Sequence, residues 1–158
     1  MYHYVKNIKK SKYPNLKGLE FSDFKKQIFY LKKNFNILSN NQFIEILNSR
    51  KIPKKKSILL TFDDGYRDHF EYVFPFLKKQ DVSAIFYPPI MCIKNKAVLD
   101  VNKIHFILAK EENRDKILDL IFLYVKKILN KNPQQIGIEK INLLSRYDDK
   151  KTILIKRL

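Results

Sequence analysis

The chain has 158 residues, 45% hydrophobic and 13% aromatic, which excludes a disordered chain and suits one ordinary domain with a sizeable core. Its single cysteine, Cys92, excludes an internal disulfide and any multi-cysteine metal site. The formal charge of +16 invites a polyanion partner, yet 27 of the 32 basic residues are Lys and five are Arg; Arg is the better reader of phosphates and bases, so no specific nucleic acid is expected.

The first residues, M-Y-H-Y-V-K-N-I-K-K, hold no apolar stretch of signal-peptide length. Ile117 to Val125 is apolar but short and contains Asp119, so no transmembrane segment is expected and the chain reads as cytoplasmic and soluble. Met1 to Val5 can form a strand, and Asn7 to Leu19, with Pro14 and Gly18, reads as a loop. Phe24, Ile28, Leu31 and Phe35 recur at helical spacing, which predicts a helix over Phe21 to Phe35 with Ser22 as its cap. A very short strand over Asn36 to Ser39 follows. Asn40 or Asn41 then caps a second helix with Phe43, Ile44 and Leu47 on one face.

Lys51 to Lys56 is a basic loop around Pro53; it lacks the glycines of a phosphate cradle and reads as a solvated turn. Ser57 to Phe62 is apolar without alternation, the pattern of a strand buried on both faces. Arg67 to Gln80 predicts a helix disturbed at Pro75, and Ser83 to Tyr87 a further strand stopped by Pro88 and Pro89. The first 90 residues therefore alternate strand and helix, the order of parallel βα units in an open sheet or barrel. Beyond Pro89, Val98 to Lys110, Arg114 to Lys131 and the tail from Lys150 read as helices, and Glu139 to Leu144 can join them. The tail ends inside an amphipathic pattern, K-K-T-I-L-I-K-R-L, so the architecture is expected to be incomplete.

The chemistry-bearing stretch is S-I-L-L-T-F-D-D-G-Y-R-D-H-F, residues 57–70. Functional groups of parallel α/β folds sit at the carboxyl ends of strands, which is where Asp63 and Asp64 fall. Gly65 lets the backbone turn beside them. Two adjacent acids can divide their duties, one holding a cation and the other acting as a base toward water. A plain surface turn is the competing reading; the apolar strand before and the helix after favour the site.

T-F-D-D-G-Y, Thr61 to Tyr66, resembles the first signature of the polysaccharide deacetylases, the NodB-homology or carbohydrate esterase 4 group. M-Y-H-Y-V resembles that family's first strand, and Val73 to Pro88 its next helix and strand, so the resemblance covers Met1 to Pro89. Asp100 to Phe106 resembles a helical insertion of one branch. The resemblance implies a distorted, here incomplete, (β/α) barrel that removes N-acetyl groups from N-acetylated polysaccharides or oligosaccharides with a divalent metal, usually zinc. By position Asp63 matches the general base and Asp64 the metal ligand, while Thr61, Phe62, Gly65 and Tyr66 shape the turn.

The family's second motif supplies two metal-binding histidines four or five residues apart, and this chain has only His3, His69 and His105. Catalytic zinc takes three protein ligands. The expectation is a single partial domain, 1–89 carrying the βα units and 90–158 mainly helical, inactive or weakly active without a complementing C-terminal chain. His69 reads as a polar residue on an exposed helix start, His105 as structural, and His3 as a candidate for a substrate-side role. The alternative function is a non-catalytic basic module binding acidic glycan, a membrane surface or nucleic acid.

Overall fold

The computed structural model describes residues 1–145 and 147–158. The chain divides into two compact units, Met1–Ala97 and Val98–Leu158. No helix among the described residues is long and apolar enough to cross a membrane.

The first unit is α/β with short parallel strands. β1 (Val5–Lys6) pairs with β2 (Leu19–Glu20), β3 (Asn36–Ile37) with β4 (Ser57–Ile58), and β5 (Thr61–Asp63) with β6 (Ile85–Tyr87), each pair parallel. A bridge between Tyr2 and Phe62 ties the chain start to β5. The expected βα order is present, but the described strands make three pairs, and no closed ring forms among them. The segment expected as a loop ends in β2. The apolar run from Ser57 also differs from expectation: it is not one strand with one set of neighbours. Its first half pairs with β3; its second half lies between Tyr2 and β6.

Four helices belong to this unit: α1 (Phe21–Asn34), α2 (Asn40–Ser49), α3 (Phe74–Lys79) and α4 (Ile90–Asn95). Both expected caps are corrected. Glu20 occupies the α1 cap position and Ser22 lies inside the helix, because β2 runs straight into it. At α2 the cap is Ser39, whose hydroxyl accepts from the Gln42 N–H while the Gln42 side chain accepts from the Ser39 N–H. This reciprocal box satisfies two otherwise unpaired donors, which neither Asn40 nor Asn41 achieves from inside the helix.

Pro75 disturbs its helix as expected. Residues 69–73 form a widened π turn, closed by the Phe74 N–H donating to the His69 carbonyl, before α3 resumes. Pro75 has no N–H and sits in the first turn of α3, where none is needed. His69, Val73 and Leu77, spaced by four, are all buried. With Val5, Phe24, Ile28, Leu60 and Phe62 the apolar members form the core of the unit.

The second unit is helical: α5 (Asp100–Lys110), α6 (Arg114–Leu129) and α7 (Lys150–Arg157). Glu139 to Leu144, which the sequence allowed to join these helices, forms no α-helix; a short 3-10 turn at Ile138–Lys140 overlaps its start. Asn113 caps α6 and Asp149 caps α7 by accepting from backbone N–H groups. Leu108, Ile117, Leu118 and Ile155 make its core.

Candidate functional site

The site begins with Phe62. Its ring is fully buried, stacked on Tyr2 at 5.1 Å and on Phe86 at 4.8 Å, and met edge-on by Phe24. Successive strand side chains point to opposite faces. A clamped Phe62 therefore turns Asp63 to the face away from the core, where its side chain keeps 29% of its exposure. The Asp63 N–H donates to the Tyr2 carbonyl at 3.0 Å, so the backbone below the carboxylate is fixed by the first residues of the chain.

The turn is unusual. Asp64 (φ 70°) and Gly65 (φ 60°) are consecutive left-handed residues. Asp tolerates this conformation better than most side chains, and Gly adopts it freely. A Cβ at Gly65 would lie 2.8 Å from the Pro88 Cβ and 3.0 Å from its Cα, so the turn seats directly on the residue that follows β6. The Tyr66 hydroxyl donates to Asp64 Oδ2 at 2.6 Å, and its ring stacks on Tyr4 at 4.4 Å. Burial, then the bond to the Asp64 carboxylate, pushes the Tyr66 phenol far up, so it stays a protonated donor.

The two carboxylates thus stand differently. Asp64 has one oxygen occupied by a phenol. Asp63 faces a histidine: His3 Nε2 lies 3.7 Å from its Oδ2, and the His3 ring is 45% exposed. Nearby, Lys6 Nζ donates to Asp68 Oδ2 at 3.0 Å.

His69 corrects the sequence expectation. It is buried, 3% exposed, not a residue on an exposed helix start. Its Nε2–H donates to the His3 carbonyl at 2.6 Å, and its ring meets Phe62 and Tyr66 edge-on. Burial pushes its pKa down, outweighing the accepting carbonyl and the nearby Asp68 and Asp64 charges. A signal was present in the sequence, because His69 lies four residues before Val73 and eight before Leu77, on the apolar stripe. His105 is half-buried in α5, and Cys92 is half-buried in α4 with its thiol free.

The donor set can be tested against zinc. Among the described residues no three His, Cys, Asp or Glu side chains converge as a metal site. His3 and Asp63 approach each other, and Asp64 turns an oxygen to Tyr66. Three protein ligands are the ordinary requirement of a catalytic zinc, and the described side chains do not fit it.

Residues 50–97 match the polysaccharide deacetylase family. YxkH of Bacillus subtilis (strain 168), whose name assigns it to the polysaccharide deacetylases, is 28% identical over 88 residues, 55% of this chain. The chain spans only 29% of the length of that relative. Among solved structures, the deacetylase PplD of Streptococcus pyogenes, in complex with acetate, aligns over 99% of this chain and 77% of its own, at 20% identity and a TM-score of 0.50; the likeness is one of fold. A de-N-acetylase from Aggregatibacter actinomycetemcomitans aligns over 55% of this chain and 35% of its own, at 29% identity and a TM-score of 0.44.

Proposed function

We propose that this chain, which belongs to the polysaccharide deacetylase family, carries the base-bearing part of a site that hydrolyses N-acetyl groups of amino-sugar polymers or oligomers. The observation that carries the proposal is the turn from Asp63 to Gly65. It stands at the carboxyl end of β5, directed outward by the Phe62 clamp and held in a left-handed path against Pro88.

In this reading Asp63 takes a proton from the attacking water as its oxygen bonds to the acetamide carbonyl carbon. The tetrahedral oxyanion collapses, the C–N bond breaks, and the departing nitrogen takes up a proton. Acetate and a free amino sugar leave. A part-exposed carboxylate beside an imidazole can hold and return that proton. Asp64, with one oxygen engaged by Tyr66, has the other to offer a divalent cation such as zinc. The proposal assigns the cation's remaining ligands to groups outside the described side chains, a complementing polypeptide among them. No step at Asp63 is routed through that ion.

The test is acetate release from N-acetylglucosamine oligomers, with and without added zinc or cobalt, by the chain and by Asp63→Asn. Slow release that depends on Asp63 is expected. Equal release by both proteins would remove Asp63 as the base. Turnover on the order of 10 s⁻¹, ordinary for an enzyme, would remove the need for further ligands.

A further inference from the structure

His69 is a buried imidazole that the proposed chemistry does not use. Its partner is a backbone carbonyl at an unusual point of the fold. In a regular strand the carbonyls of Tyr2 and Tyr4 would point the same way. Here the Tyr2 carbonyl accepts from the Asp63 N–H at 3.0 Å and the Tyr4 carbonyl accepts from the Leu19 N–H at 2.8 Å. The chain changes neighbour, from β5 to β2, at His3 between them. At that bend the His3 carbonyl accepts from His69 Nε2–H at 2.6 Å.

The geometry permits one tautomer. A carbonyl only accepts, so Nε2 carries the proton and Nδ1 carries a lone pair. Nδ1 is buried without a hydrogen-bond partner, in a ring enclosed by Phe62, Tyr66 and Phe86. An orphaned buried nitrogen is unfavourable, and a phenylalanine would fill the same space without it. The donor on the other side of the ring is what distinguishes histidine here, and it acts on the residue whose own imidazole stands 3.7 Å from Asp63.

We infer that His69 is a positioning residue: its Nε2–H holds the bend at His3 so that the His3 imidazole stands beside Asp63 and sets the orientation of that carboxylate. The contact with Asp63 is too long for a hydrogen bond, so the arrangement directs the carboxylate by electrostatics and packing. Its catalytic meaning rests on Asp63 being the base. Its structural content does not.

The experiment uses the full chain with two variants. His69→Phe fills the aromatic site and removes the donor. His69→Gln replaces the ring with an amide that can still donate from the position of Nε2. Nitrogen-15 NMR of the native chain should show His69 as the Nε2–H tautomer. In His69→Phe the His3 ring signals and the Asp63 carboxyl carbon signal should move, and His69→Gln should return both toward their native positions. Asp63-dependent acetate release should fall about threefold to tenfold in His69→Phe, the loss expected for one neutral hydrogen bond, in kcat more than KM. Glutamine should restore most of it.

A folded His69→Phe variant whose His3 and Asp63 signals stay at their native positions would overturn the inference. So would an Nδ1–H tautomer in the native chain. If instead the signals move and return as expected while no acetate is released by any form, His69 positions His3 and the deacetylase reading is what fails.

Discussion

Gly65→Ala tests whether the acidic turn is built as described. A side chain at φ 60° carries a left-handed penalty of about 1–2 kcal/mol. The new methyl would also stand 2.8 Å from the Pro88 Cβ and 3.0 Å from its Cα, atoms of a rigid ring and backbone that cannot swing aside. Overpacking of that kind costs about 1–3 kcal/mol more. A total of about 3 kcal/mol would lower the midpoint of a unit this size by roughly 12–24 °C. Gly137→Ala is the control. Its φ is 72°, but the nearest atom to its Cβ is Lys140 Cδ at 3.9 Å, so only the backbone penalty applies. Urea unfolding followed by amide exchange within each unit would give both values. Should Gly65→Ala cost no more than Gly137→Ala, the close seating of the turn on Pro88 is wrong.

Three further outcomes are expected. Tyr66→Phe removes the donor to Asp64 and should cost about 1.5 kcal/mol in urea unfolding, the low end for a hydrogen bond to a charged group; no change would mean that water replaces the phenol at no cost. His69 has its pKa lowered by burial, so the unfolded chain binds more protons than the folded one below the ordinary value of 6.5. Stability should therefore fall as pH drops from above 6.5 through the lowered value, and His69→Phe should flatten that slope in pH-dependent unfolding. Asp149→Ala should cost the second unit about 1 kcal/mol, because the carboxylate accepts from the Thr152 N–H at 3.0 Å and its hydroxyl at 2.7 Å. Thermal melting of α7 by amide exchange would measure it.

Periodicity, turn residues and the order of segments were enough to read the α/β alternation, α1, the break at Pro75 and the acidic turn, because each depends on chemistry within a few residues. An apolar strand that stops at Asp63 and Asp64 places two carboxylates at a strand end whatever surrounds it. Tertiary structure decided the rest. β2 running into α1 put Glu20, not Ser22, at the cap, and the end of β3 gave Ser39 the extended backbone that a cap requires. The run from Ser57 to Asp63 divides because its two halves meet different strands, a fact that no local pattern contains. Nor could the chain order alone show that Tyr66 bonds Asp64 or that His69 reaches the carbonyl of His3, 66 residues earlier. His69 meets His3, and Tyr4 stacks on Tyr66 beside Asp64, because packing carries distant parts of the chain to one strand end, and the two carboxylates differ in their surroundings only once it has done so.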